Sequence, residues 1–144
     1  MEQFKFHTER LRASGLRPTK QRLAICKKLF DRKETFHFTI EKLKKILEKK
    51  RRKNISLATL YNTVHAFEKK GYLKEISLKG NKTFFDTNTK KHHHFYDEDS
   101  SKLIDIKNKN ISIKNLPKVP YGKKIKQLEI TIRVANNNQK QKIN

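Results

Sequence analysis

The spacing of the apolar residues changes near Gly71, and this change constrains the fold more than any other feature of the chain. Before it, "SLATLYNTVHAFEKKG" has Ser56 as a candidate N-cap and an apolar stripe at helical spacing. After it, "YLKEISLKGNKTFFD" contains two extended runs around residues 79–81, which tolerate a hairpin turn. The sequence therefore predicts a helix that leads directly into a hairpin. The predicted stripe consists of Leu57, Leu60, Val64 and Phe67.

Three helical segments precede this pair of elements. They are "TERLRASG", "RPTKQRLAICKKLF" and "FTIEKLKKILEKK", and Thr39 is a candidate N-cap of the third. Three or four helices followed by a basic hairpin is the order of elements in a winged helix-turn-helix domain. We therefore predict an α+β fold in which residues 1–88 form a winged-helix DNA-binding domain.

The charge of the chain favours a polyanionic partner. Lys and Arg number 36 against 14 Asp and Glu, which gives a formal net charge of +22. Such a field attracts nucleic acid first and an anionic membrane surface second. No run reaches ~18 apolar residues and the first ten residues lack the apolar region of a secretory signal, so we expect a cytoplasmic protein without a membrane partner.

The single cysteine excludes two kinds of site within one chain. Cys26 has no partner for a disulfide, and a Cys-based zinc site needs several thiolates. It lies on an apolar helix face, so we expect a core residue and not a nucleophile.

In a winged helix, one helix enters the major groove and the hairpin lies on the DNA backbone. Tyr61 can contact a thymine methyl group, and Asn62 can bind adenine through two hydrogen bonds. Residues expected on the reading surface are Ser56, Thr59, Tyr61, Asn62 and Thr63. Those expected at phosphates are Arg17, Lys20, Arg51, Arg52, Lys53, Lys79 and Lys82. An amphipathic core helix with a solvated lysine face remains the alternative.

The second half of the chain is richer in extended patterns. "KLIDIKNKNISI" predicts a short strand pair, "NLPKVPYG" a loop, and "KIKQLEITIRV" a strand. Hydrophobic residues make up only 34% of the chain, so we expect small cores and a dimer that shares burial. The polar residues 136–144 predict a disordered tail.

Three consecutive histidines, His92, His93 and His94, raise the question of a metal or haem site. Neighbouring residues on a strand point to opposite faces, so His92 and His94 converge while His93 faces away. Two imidazoles and a carboxylate suit Mn²⁺, Fe²⁺ or Zn²⁺, and each of the three imidazoles is also a candidate haem ligand. A solvated loop remains the alternative, and the acidic run 97–99 predicts a turn more than a calcium loop.

Three segments resemble the ferric uptake regulator family: "LRASGLRPTKQRLAI", "SLATLYNTVHAFEKKGYL" and "HHHFYDEDSSKLIDI". The similarity runs over most of residues 8–135 and is greatest to the iron response regulator branch, in the Asn after Tyr61 and in "LPKVPYGKKI". The chain also lacks C-x-x-C pairs, as that branch does. The resemblance implies dimeric metal-sensing repressors with an N-terminal winged helix and, at residues 89–135, a C-terminal α/β dimerisation and sensing domain.

The resemblance also implies a set of ligands and a function. His37, Asp86 and His94 match family metal positions, and with His92 they define an expected hinge site between the two domains. Phe95 and Tyr96 replace an aspartate and a histidine of a second family site. The implied function is repression of iron homeostasis and haem synthesis genes at AT-rich operators, with haem as an effector; the Cys-Pro haem motif of some branch members is absent.

Two other functions stay open on the sequence. One is a non-specific nucleoid or RNA-binding protein whose histidines bind metal incidentally. The other is a metalloenzyme, which we rank lower because nucleophile–base pairs, Gly-rich phosphate loops and paired catalytic carboxylates are not recognisable. We therefore expect a regulator and not an enzyme.

Overall fold

The computed structural model describes residues 1–51 and 54–138, and its internal contacts divide the chain into two units. The first unit runs from Met1 to Thr89 and the second begins at Lys90. In the first unit the elements are α1 Glu2–Ala13, α2 Lys20–Phe30, β1 His37–Phe38, α3 Ile40–Arg51, α4 Leu57–Lys70, β2 Lys74–Leu78 and β3 Lys82–Asp86.

Helix ends in the first unit follow local capping chemistry. The side-chain oxygens of Thr39 and Ser56 accept hydrogen bonds from Lys42 N and Thr59 N at 3.2 and 3.4 Å. Gly71 ends α4 with φ +84°. This left-handed conformation is unfavourable for residues that have a Cβ atom, which is why glycine is common at this position. The two predicted N-caps and the predicted stop of α4 are therefore confirmed.

The core of the first unit is formed where the helices meet the inner face of a small sheet. Fully buried side chains contributed by the helices and by two strands include Leu11, Ile25, Leu43, Leu60, Val64, Phe67, Phe38 and Phe85. Each large apolar side chain of this kind contributes about 1.5–3 kcal/mol when removed from water.

The apolar stripe of α4 differs from the predicted one in one member. Leu57 is 46% exposed, whereas Thr63 is fully buried. Thr63 lies three residues after Leu60 and four before Phe67, so it occupies the same helix face. Its hydroxyl donates a hydrogen bond to the carbonyl of Thr59 at 2.7 Å, which satisfies the buried polar group.

Helix α1 is longer than the segment predicted from residues 8–15. It begins at Glu2, and His7 is buried on its inner face with Nε2 2.8 Å from Asp31 Oδ1. The guanidinium of Arg10 lies over the rings of Phe30 and Tyr72, at 3.9 and 4.9 Å from their centres. Burial lowers the pKa of Arg10. His7 and Arg10 thus share the inner face of this helix with Leu11, and the apolar pattern did not indicate these two polar residues.

The three strands of the first unit form an antiparallel sheet in the order β1-β3-β2. The hairpin between β2 and β3 turns through Gly80 and Asn81, with φ +83° and +60°, as the sequence predicts. The sequence did not predict the two-residue strand β1, which places His37 opposite Asp86.

The second unit has strands β4 His92–Asp97, β5 Lys102–Lys107 and β6 Thr131–Val134, with a 3-10 helix at Asn108–Asn110. The sheet order is β5-β4-β6; β4 pairs antiparallel with β5 and parallel with β6. No α-helix is present among residues 90–138, so the helical part expected of this domain is limited to the 3-10 turn.

Two strand predictions for the second unit are wrong in detail. The segment 102–113 does not pair with itself, because β5 uses β4 as its partner. The strand predicted over "KIKQLEITIRV" is limited to Thr131–Val134, the residues that lie opposite β4. Of the predicted tail 136–144, residues 139–144 lie outside the described part of the chain.

In the described part of the chain, every helix is too short or too polar to cross a membrane.

Candidate metal centre and nucleic-acid interface

Two metal-binding side chains lie opposite each other in the first unit. The register of β1 and β3 pairs His37 with Asp86, and His37 Nε2 is 3.0 Å from Asp86 Oδ2. Asp86 is fully buried, and its other oxygen accepts a hydrogen bond from Asn88 N at 2.8 Å. A buried carboxylate is costly unless it is paired, so this pair is suited to hold a cation.

The second unit contains three further donors on one face of its sheet. Nε2 of His92 and Nε2 of His94 lie 3.4 and 3.2 Å from Asp105 Oδ1. The two imidazole ring centres are 4.4 Å apart, and one ligand atom of each of the three residues lies within 4.8 Å of the others. The predicted convergence of His92 and His94 on one face of a strand is confirmed.

The protonation of His92 is set by a backbone contact. Its Nδ1 lies 2.6 Å from the carbonyl oxygen of Lys90, which only accepts hydrogen bonds, so Nδ1 carries the proton. In a neutral ring Nε2 is then an acceptor, and it faces an acceptor oxygen of Asp105. A metal ion between these atoms, or a proton on Nε2, removes the repulsion, and a histidine whose other ring nitrogen donates a hydrogen bond to a carbonyl is a usual metal-ligand arrangement.

Within each unit, the separations between the donors fit ligands of one metal ion. Two ligand atoms bonded at about 2.1 Å to one ion, at angles of about 90–109°, lie about 3.0–3.4 Å apart. The His37–Asp86, His94–Asp105 and His92–Asp105 separations of 3.0, 3.2 and 3.4 Å all fall in this range. Imidazole and carboxylate donors without sulfur suit Mn²⁺, Fe²⁺ or Zn²⁺, so the donor set could hold the metals expected from the sequence.

His93 points to the opposite face of β4, as strand alternation predicts. It is buried, and its Nδ1 accepts a hydrogen bond from Ile130 N at 3.0 Å, just before β6 begins. The three candidate haem ligands are thus not brought together, because His92 and His94 share one face of the sheet and His93 lies on the other. His93 ties two strands of the sheet to each other.

Sequence reasoning missed Asp105. It lies opposite His94 in the antiparallel pair β4–β5. The connecting turn is stabilised by Asp97, which accepts hydrogen bonds from Asp99 N and from the hydroxyl of Ser100. These hydrogen bonds lower the pKa of Asp97. The turn expected at residues 97–99 was a signal that β4 and β5 pair, and that pairing brings Asp105 beside the histidines.

The predicted DNA-reading residues divide into exposed and buried sets. Tyr61 is 40% exposed, Ser56 and Asn62 are exposed, and Thr59 is half-buried. Thr63 was assigned wrongly, because its fully buried side chain cannot reach a groove. Four of the seven cations expected at phosphates are exposed: Arg17, Lys20, Lys79 and Lys82. Arg52 and Lys53 lie outside the described residues, as does the side chain of Arg51.

Cys26 is a core residue, as expected. It is fully buried, and burial raises the pKa of its thiol to about 12. The thiolate required of a ligand or nucleophile is therefore disfavoured at neutral pH.

Comparisons with known proteins agree with this arrangement. Residues 13–133 match the model of the ferric uptake regulator family. The peroxide-responsive repressor PerR of Staphylococcus epidermidis is 36% identical over 96 residues, which are 67% of this chain and only 62% of the length of that repressor.

Solved structures share the fold at low sequence identity. The ferric uptake regulator of Vibrio cholerae aligns with a TM-score of 0.67 and 22% identity, over 90% of this chain and 98% of that one. The ferric uptake regulator of Pseudomonas aeruginosa, solved with manganese, aligns with a TM-score of 0.65 and 20% identity, over 90% of this chain and 97% of the other. The family model covers most of the sequence, and the chain therefore belongs to the ferric uptake regulator family.

Proposed function

We propose that this protein is a metal-responsive repressor that binds double-stranded DNA as a homodimer in the cytoplasm. Residues 1–88 would be the DNA-binding domain and residues 89–135 the dimerisation and sensing domain. The observation that carries the proposal is the convergence of His92, His94 and Asp105, which bring ligand atoms within 4.8 Å of one another on one face of the sheet. A regulator, and not an enzyme, is what the family match supports.

We propose that one ion takes ligands from both units, namely His37, Asp86, His92, His94 and Asp105. The support is chemical: the first unit supplies two donors and the second supplies three. Five nitrogen and oxygen donors exceed the four of a tetrahedral zinc site and approach the six of an octahedral one. Fe²⁺ or Mn²⁺ is therefore favoured over Zn²⁺. An ion that joins the units would set how the two DNA-binding domains of a dimer fit successive half-sites.

The DNA partner is proposed from charge and from the exposed face of α4. A net charge of +22 supplies the sequence-independent attraction, and Tyr61 and Asn62 supply base contacts. Thymine methyl groups and adenine edges are the targets that suit these two side chains, so an AT-rich site with dyad symmetry is expected.

The homodimer is proposed from an exposed apolar row in the second unit. Strand pairing aligns Ile104, Phe95 and Ile132 across the sheet, on the face opposite His92 and His94. Ile104 and Ile132 are 52% and 40% exposed. A row of this kind suits a second copy of the same surface, because apolar area buried between subunits stabilises a dimer.

Haem enters the proposal as a second effector, through the resemblance to the iron response regulator branch. The rings of His92, His93 and His94 are only 4–5% exposed. A small ion reaches such rings more easily than a porphyrin, and haem ligation would require movement of β4. We therefore propose ferrous iron as the first effector and haem as one that acts after the strand has opened.

A response to peroxide is the second candidate function. It is favoured by the 36% identity to a peroxide-responsive repressor over the aligned 96 residues. Measuring DNA release by the iron-loaded protein on addition of hydrogen peroxide, and separately of haem, distinguishes these effectors.

The test of the main proposal measures DNA affinity and metal affinity together. Fluorescence anisotropy with an AT-rich palindrome is compared with a scrambled duplex, with Mn²⁺ and with a chelator. We expect preference for the palindrome and tighter binding with Mn²⁺. Asp105→Asn keeps the side-chain shape and should weaken Mn²⁺ binding about 10- to 100-fold by calorimetry. Equal binding of both duplexes would instead indicate a non-specific nucleoid or RNA-binding protein.

A further inference from the structure

We propose that His65 is a positioning residue that transmits the state of the His37–Asp86 ligand pair to Tyr61 on the DNA-reading surface. The inference rests on the proposed function, and it assigns a role to a residue that neither the metal site nor the expected base contacts include. The route lies entirely within the first unit and consists of side chains in direct contact.

The route starts at the ladder between β1 and β3. His37 pairs with Asp86, and the next pair is Phe38 with Phe85. Successive residues on a strand point to opposite faces, so the ligand pair and the phenylalanine pair lie on opposite sides of the same two strands. The rings of Phe38 and Phe85 are stacked, 5.7 Å apart at 27°. A displacement of His37 or Asp86 by an ion therefore moves the backbone that carries these two rings.

The route continues from the sheet to α4. The ring of Phe85 meets the imidazole of His65 edge to face, with centres 5.7 Å apart at 83°. The same imidazole stacks on the ring of Tyr61, with centres 5.8 Å apart at 14°. One turn of helix separates Tyr61 from His65, which places both side chains on one face. His65 thus bridges a ring of the core and a ring of the proposed DNA interface.

Burial decreases along this route from Phe38 and Phe85 to Tyr61, which favours passing a displacement of the ligand pair on to Tyr61 over dissipating it in the core. Phe38 and Phe85 are fully buried, and closely packed interiors shift as discrete arrangements and do not deform continuously. Tyr61 is 40% exposed, so its ring is held mainly by what it stacks on. The orientation of the His65 ring therefore determines which rotamer of Tyr61 is favoured.

His65 is itself exposed, so direct contact with DNA is the competing role. The two roles differ in one measurable quantity, the ratio of DNA affinities with and without metal. A residue that only touches DNA contributes equally to both affinities. A residue that transmits the metal state changes their ratio, and residues in such networks change coupling by about 2- to 30-fold.

The experiment compares three full-length proteins: the natural protein and the variants His65→Ala and His65→Phe. Anisotropy with the AT-rich palindrome gives DNA affinity in Mn²⁺ and in chelator, and calorimetry gives Mn²⁺ affinity without DNA. We expect His65→Ala to lower the ratio of DNA affinities about threefold or more. We expect His65→Phe, which restores a ring, to recover most of the ratio, while Mn²⁺ affinity without DNA changes little in either variant.

A second readout follows the Tyr61 ring directly. Zn²⁺ is diamagnetic, so aromatic NMR signals of Tyr61 can be recorded with and without it; we expect a shift in the natural protein that His65→Ala abolishes. If His65→Ala weakens both DNA affinities equally and leaves the ratio and the Tyr61 shift intact, the positioning role is wrong and the proposed function stands. If the natural protein shows no metal-dependent preference for the palindrome, the proposed function fails together with the inference.

Discussion

Lys79 offers a quantitative test of whether the β2–β3 hairpin lies on the DNA backbone. It is exposed in the turn beside Gly80, and it is one of the four cations expected at phosphates that the structure shows to be exposed. If each of the four neutralises one phosphate in each subunit of a dimer, about eight phosphates are contacted. These contacts then contribute about −7 to the slope of log affinity against log salt concentration, from about −0.9 for each phosphate.

Replacement of Lys79 by alanine removes two of these contacts from a dimer. The slope should become less steep by about 1.8, because two fewer counterions are released on binding. At about 0.15 M salt the affinity should fall about 10- to 30-fold, and the palindrome and the scrambled duplex should be affected equally, since phosphate contacts carry no sequence information. Fluorescence anisotropy between about 50 and 300 mM KCl, with Mn²⁺ held constant, measures both quantities.

Two control variants make this prediction specific. Lys109→Ala removes the same charge from an exposed position of the second unit, and its slope should stay close to that of the natural protein. Asn62→Ala should lower the preference for the palindrome without changing the slope. If Lys109→Ala and Lys79→Ala reduce the slope equally, binding depends on net charge alone and the assignment of the hairpin to the DNA backbone is refuted.

Three further predictions concern buried residues of the first unit. Thr63→Val should change stability by no more than about 1 kcal/mol and leave palindrome affinity intact, since the hydroxyl contacts only Thr59; altered DNA specificity would return Thr63 to the reading surface. Leu60→Ala should lower the free energy of unfolding by about 2–5 kcal/mol in chemical denaturation, and a loss below about 1 kcal/mol would contradict its full burial. Cys26 should resist Ellman's reagent until urea unfolds the protein. Its pKa is raised from about 9 to about 12 in the folded state, so unfolding free energy should fall as pH rises above about 9, and rapid labelling of the native thiol would refute the burial.

The parts of the fold that the sequence predicted correctly depend on local chemistry. The caps at Thr39 and Ser56, the stop at Gly71 and the hairpin turn at Gly80 each involve contacts within a few residues. Local contacts of this kind recur with the same residue types, because the backbone groups they satisfy are the same in every helix or turn.

The features that were missed depend on pairing between distant segments. Strand β1 is two residues long and exists because His37 and Phe38 pair with β3, about fifty residues later. Asp105 becomes a donor because the register of β4 and β5 places it opposite His94. No periodicity within either segment carries this information. The sequence therefore indicated the histidine half of the second-unit donor set but not its carboxylate.

The error at Thr63 has a different cause. Threonine counts as a polar residue, so the apolar pattern of this helix included Leu57 and left Thr63 out. In the structure Leu57 is exposed and Thr63 is buried. Its hydroxyl can bond the carbonyl one turn earlier, which lets a polar side chain occupy a buried position at little cost. Residue type alone could not distinguish this from exposure to a DNA groove.

In both sheets, strand alternation places the candidate metal ligands on one face and large apolar side chains on the other. In the first unit, His37 and Asp86 face one side of β1 and β3, while Phe38 and Phe85 face the helices. In the second unit, His92 and His94 face Asp105, while Phe95 belongs to the exposed apolar row on the other side. One peptide bond thus separates four of the proposed donors, His37, Asp86, His94 and Asp105, from a residue that packs against a helix or is proposed to pack against a second subunit. An ion that moves a donor must move that neighbour as well, because the backbone between them is held by ladder hydrogen bonds. On the proposed function, metal binding would therefore change both DNA reading and subunit pairing without any dedicated hinge residue.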